Sequence, residues 1–174
     1  MTPSKHLGQR GMSPTAVNAA VRTLLNELGL PEEGIVFLEY SQPDGFEPEI
    51  DNCHYNVWVK CNRDHGGPQA GWIISEHVGA RFIEAQFHNV WRSPDGVLRD
   101  VTPRADLEQR IMFVPDPVRQ IRLVEYEGRP AIRSFDNLRM RDGQVLTRPE
   151  PIIVVPTSDF MYRHGLATPR QEPR

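Results

Sequence analysis

The sequence predicts an α+β domain, with N-terminal helices packed on an antiparallel, meandering β-sheet. Helical apolar spacing ends near Gly66, and from Trp72 onward short runs rich in β-formers recur between turn residues. The 16 prolines of this 174-residue chain are scattered between those runs, where they punctuate turns, and do not gather into one tract.

Ser13 and Pro14 supply a hydroxyl cap and a first-turn proline, and Val17, Val21, Leu24, Leu25 and Leu28 follow at helical spacing until Gly29 and Pro31 end the pattern. Residues 35–40 form a short apolar run suited to a strand, and residues 41–49 are a loop of turn formers. Asp51 and Asn52 are both good N-caps, so a helix is expected to open at Cys53 and to stop at His65-Gly66-Gly67-Pro68. Its apolar residues Cys53, Val57, Trp58 and Cys61 mark an inward face. Strands are then expected over residues 72–76, 81–92, 97–102, 110–114, 120–125, 130–135 and 152–155. Residues 13–163 are read as one domain, flanked by disordered ends at 1–12 and 164–174.

With 20 Lys/Arg and 23 Asp/Glu intermixed, the formal charge is −3, and no basic stripe suited to a phosphate backbone is present. Nucleic acid is therefore not an expected partner. No window approaches the roughly 20 apolar residues of a membrane span, and the opening MTPSKHLGQRGMSP lacks a secretory apolar run. A cytoplasmic protein with no membrane partner is expected. The two cysteines fall two turns apart on one helix, about 12 Å, which is beyond disulfide reach. Both thiols are expected to be free, as in a reducing compartment.

A cysteine in the first turn of a helix feels the positive end of the macrodipole and the unpaired N–H groups there, which favour its thiolate. A nearby imidazolium strengthens the effect. His54 is adjacent but points about 100° away around the helix, His65 lies at its far end, His77 in a turn, and His6 and His164 in the ends. His88, midway along a long strand, remains. After it, Ser93-Pro94-Asp95-Gly96 has the pattern of a type I turn closed by a glycine bulge, which sets Ser93 against Val97, Trp91 against Arg99 and His88 against Thr102. In that register Asp100 lies diagonally from His88 on the same face, where its carboxylate can orient the ring.

A cysteine opening a helix, then a histidine on a strand and an aspartate on the next strand, resembles the papain-like and transglutaminase-like thiol enzyme superfamily. The match covers roughly residues 51–103. The strings GWIISE, FIEAQFHNVW and PDGVLRDVTP resemble those of a group of uncharacterised bacterial proteins. The superfamily resemblance implies a papain-like core. It also implies Cys53 as nucleophile, His88 as base and then acid, Asp100 as orienter, and the Cys53 N–H as an oxyanion donor.

Glu84, Gln86 and His88 alternate on one face of their strand, as in a cleft wall or the solvated face of an edge strand. Glu84, Gln86 and Asn52 are the candidate substrate-binding residues. Glu76 is either a second carboxylate near the cleft or a strand-end charge in solvent. Cys53, Cys61, His65 and His88 could be read as a zinc set, but two turns of helix separate the cysteines, so no metal is expected. The three tryptophans read as core, no cofactor motif appears, and none is expected. Two functions follow: a cysteine-dependent acyl-transfer enzyme (a peptidase, amidase, deamidase or transglutaminase-like protein) acting on a peptide or small amide, or a non-catalytic domain binding a peptide or small molecule in the same cleft. A cysteine at a helix start can equally be a small buried hydrophobe.

Overall fold

A computed structural model describes residues 11–155 and 158–166. Helix α1 spans Ala19–Leu28 and turns Val21, Leu24, Leu25 and Leu28 inward. Asn18, not Ser13, caps it, accepting from the Val21 N–H at 3.0 Å. The start is displaced because residues 11–13 are held as extended chain. Met12 exchanges backbone bonds with Glu76, and the Ser13 N–H donates to Glu108 at 2.7 Å. At the other end Gly29, with φ 73°, closes the helix in the left-handed conformation.

Ten strands are described: β1 Val36–Glu39, β2 Gly67–His77, β3 Phe82–Arg92, β4 Leu98–Arg99, β5 Arg110–Pro115, β6 Arg122–Tyr126, β7 Arg129–Phe135, β8 Leu138–Arg141, β9 Gln144–Thr147 and β10 Pro151–Val154. The α+β class holds, but the larger sheet is not a plain meander. Its order is β1-β5-β2-β3-β8-β9, with β4 paired to β3, and a separate three-stranded sheet runs β10-β7-β6. Strand β5 enters between β1 and β2 because Ile111 to Val114 are all buried, which requires cover on both faces and pairing on both edges. Strands β8 and β9 lie where no strand is expected from the sequence. They are joined by Asp142-Gly143 with φ 52° and 76°, a two-residue hairpin turn.

Under α1, Trp72, Ile74, Phe87, Met112, Leu138 and Met140 form the main core. On the other face Leu38, Ile73, Val90, Ile111 and Phe113 pack together. Helix α2, Cys53–Asp64, runs beside β3, packing Val57 against Trp91 and Val101, and its far end accepts the Trp91 indole N–H at the His65 carbonyl, 2.8 Å away. Tyr55 and Val59 meet Ile132 of the small sheet and Phe160 and Met161 of α3, Phe160–Arg163.

Of the expected disordered ends, residues 1–10 and 167–174 lie outside the described residues. Residues adjoining them are hydrogen-bonded: Met12 pairs with Glu76 through the backbone, and the Leu166 N–H donates to the Met161 carbonyl at 2.8 Å. No helix among the described residues is long and apolar enough to cross a membrane.

Candidate active site

The hairpin that carries His88 and Asp100 has the expected register. Gly96 is left-handed at φ 87°, its N–H bonds the Ser93 carbonyl, and Trp91 lies opposite Arg99. Strand β4 ends after two residues. Asp100 then leaves β3 and bridges Tyr40, its carbonyl accepting the Ser41 N–H at 2.8 Å. The carboxylate nevertheless turns back to His88, Oδ1 lying 3.1 Å from Nε2 and also accepting the Thr102 N–H.

Cys53 is brought to this pair by the loop before α2. The first helical residue is Cys53, as expected, with Asn52 in the cap position. The capping chemistry differs from expectation. Asn52 donates its side chain to Glu49 and makes no cap bond, while the Asp51 carboxylate accepts from the Ala105 N–H at 3.2 Å. Docking falls to Asn56, fully buried one turn along. It accepts the Glu49 N–H, donates to the Glu49 carbonyl at 2.8 Å, and reaches the Thr102 hydroxyl at 3.3 Å. The Asp51 N–H adds a bond to the Pro103 carbonyl. Helix start and Asp100 segment are thus stitched together by polar contacts.

Cys53, His88 and Asp100 retain only 6%, 5% and 2% of their surface. Burial of the sulfur opposes ionisation, but the His54 and His88 imidazoles more than offset it, and the thiol falls from 9.0 to about 5. Burial likewise disfavours the charged His88 ring, and the Cys53 thiolate with the Asp100 carboxylate overcomes this, raising His88 to about 10. Since Asp100 occupies Nε2, Nδ1 is the ring nitrogen left for the sulfur. The two shifts run in opposite directions, and each favours the charged form of its own group. Cys61 contrasts with it: burial raises its thiol to about 11, although it is half-buried and not fully enclosed as its helical position implies.

The expectation that His54 points away from Cys53 is overturned: its Nδ1 lies 3.2 Å from the sulfur. In the first helical turn no preceding turn restricts the side chains, so neighbours can swing together. The adjacency was visible in the sequence; the freedom of the first turn was the signal to weigh. Tyr40, beside Asp100, was also missed. Burial, Glu47 and Asp100 all hold its phenol above the ordinary range.

The expected substrate-binding residues divide. Gln86 is exposed on the His88 side of β3. Glu84 is not open to a ligand, because its carboxylate accepts from Asn137 at 2.9 Å and Arg139 at 2.6 Å on the β8 side. Asn52 spends its amide on Glu49. Glu76 is bonded to Asn18 at 2.8 Å, opposite Ile83 on β3 and far along from His88. Gly71 lies opposite His88, where a Cβ would strike the Val114 carbonyl and the Phe113 ring; that ring meets the His88 ring edge-on at 6.4 Å. Among the described residues no three His, Cys, Asp or Glu side chains are grouped to hold a metal ion.

Fold and site together define an α+β domain with a buried thiol, imidazole and carboxylate in series. No protein family, curated protein or solved structure matches this chain.

Proposed function

We propose that this chain is a cysteine-dependent acyl-transfer enzyme with a papain-like core, acting on an amide bond of a peptide or small amide. The observation that carries the reading is the buried thiol at the first residue of a helix, interacting with an imidazole whose Nε2 is held by a carboxylate at 3.1 Å.

The Cys53 thiolate attacks the amide carbon and forms a C–S bond, while the oxygen takes the negative charge. No side chain caps α2, so the N–H groups of its first turn, that of Cys53 foremost, suit this oxyanion. His88 gives its Nδ1 proton to the amine nitrogen, the C–N bond breaks, and a thioester remains. Neutral His88 then takes a proton from water or an acceptor amine as it attacks the thioester carbon, and the C–S bond breaks to return the thiolate. Asp100 fixes the ring and favours its charged form. Water gives hydrolysis or deamidation; an amine gives transfer. A reducing compartment such as the cytoplasm preserves the thiolate.

Iodoacetamide labelling followed by intact mass across pH tests the proposal. Cys53 is expected to label with a midpoint near 5, far below an ordinary thiol, while Cys61, at about 11, stays unmodified at neutral pH. His88→Asn should move the Cys53 midpoint upward, and Cys53→Ala should abolish release of ammonia or amine from a panel of glutamine-containing peptides. Labelling of Cys53 only above pH 8 would overturn the reading and leave a binding domain that uses the same cleft.

A further inference from the structure

The acyl-transfer reading uses one imidazole on the sulfur, and the structure supplies two. His54 Nδ1 lies 3.2 Å from Cys53 Sγ. The two rings differ in setting. His88 is almost enclosed and fixed through Asp100. His54 is half-buried on the second residue of α2. Both imidazoles act on the sulfur and favour its charged form. Asp100 stands behind His88, with the Arg104 guanidinium and the Tyr40 phenol acting on it in turn, and Glu49, before the helix, is occupied by Asn52 and Ser158.

We infer that His54 is a positioning residue for the nucleophile: its Nδ1 holds the Cys53 sulfur in the rotamer that meets His88, and it releases the sulfur when the thioester forms. The inference rests on Cys53 acting as a thiolate nucleophile. A thiolate has several lone pairs and one rotatable χ1 bond, so a single partner at His88 leaves other staggered positions open. A second partner from the first turn of the same helix selects among them without adding bulk at the enclosed end. The contact is local, between neighbours in sequence, so it is independent of how α2 docks on the sheet.

Two variants separate the role from plain structure. His54→Asn keeps a polar atom near the Nδ1 position, and His54→Leu removes it at similar size. Iodoacetamide labelling of Cys53 is followed over pH by intact mass, alongside thermal melting of each protein. In His54→Leu the labelling midpoint should rise by at least one pH unit and the plateau rate fall several-fold, with the melting temperature held within about 2 °C because the ring is not fully buried. His54→Asn should recover part of the plateau rate. If His54→Leu labels with the wild-type midpoint and rate, or if His54→Asn is indistinguishable from His54→Leu, the contact is incidental and this inference fails while the thiolate reading stands. If the wild type itself labels only above pH 8, the thiolate reading fails first.

Discussion

Asp100 carries two obligations: it faces the His88 ring at 3.1 Å, and it accepts the Thr102 N–H at 3.2 Å. Replacing it with asparagine keeps the shape and removes the charge. His88 is raised above the free imidazole value of 6.5, so the stability its charge confers is complete below 6.5 and is lost as pH rises through about 10. In Asp100→Asn the His88 midpoint should fall, and the charged pair should close from the alkaline side. Carbon-13 NMR titration of the ring reads this directly; an unmoved midpoint would show that Asp100 does not set it. Turnover should drop by about 10²–10⁴, the usual share of a positioned acid–base group. At the acid limit the sign reverses. Cys53 is lowered, so thiolate is lost as pH falls through about 5.

The thiol and the imidazole come together because one helix docks on one hairpin, and Asn56 is the residue that docks it. Fully buried and bonded to both backbone groups of Glu49 and to Thr102, it ties the loop before α2 to the segment after Asp100. Asn56→Ala should cost about 1–3 kcal/mol through polar groups left unpaired. It should also raise the labelling midpoint of Cys53, because the helix start loosens from His88; urea melts together with labelling check both effects, and a stability loss with an unchanged midpoint would confine Asn56 to scaffolding. The hairpin half of the site was legible in the sequence, since Ser93-Pro94-Asp95-Gly96 admits few turns and the register follows from the turn. Cys53 at the helix start was legible from Asp51-Asn52 before it and the stop near Gly66, although neither side chain makes the cap bond that the pattern promises. The docking was not, because a buried asparagine reads as surface until its partners, 7 and 46 residues away, are known. Glu84 misled in the opposite direction: its alternation with His88 was right, but strand β8, which claims its carboxylate, was not foreseen although Asp142-Gly143 marks the turn.

Across the whole molecule, one buried carboxylate ties three elements together. Asp116 follows β5, accepts the Trp72 indole N–H of β2 at 2.9 Å, and pairs with Arg119 at 2.7 Å; Arg119 in turn reaches the Leu28 carbonyl at the end of α1. Burial disfavours the Asp116 charge, but the Arg119 and Val118 N–H groups, the indole and the Arg119 guanidinium outweigh it and hold the carboxyl below its usual value. A lowered carboxyl lends stability above the unfolded value and loses it as pH falls through the folded one, so this tie should weaken only at strongly acid pH. Asp116→Ala should cost about 3–5 kcal/mol in denaturant melts, the expectation for breaking a buried charged pair. A loss below about 1 kcal/mol would show that α1 and the sheet hold together without it. The insertion of β5 has a temporal consequence as well. Val36 lies opposite Phe113, and among the described residues β5 is the only strand that pairs with β1. During synthesis the apolar run at residues 35–38 therefore emerges long before its neighbour exists. It must wait as an unpaired edge, so the nascent chain is most exposed to self-association just before the ribosome delivers residues 110–115.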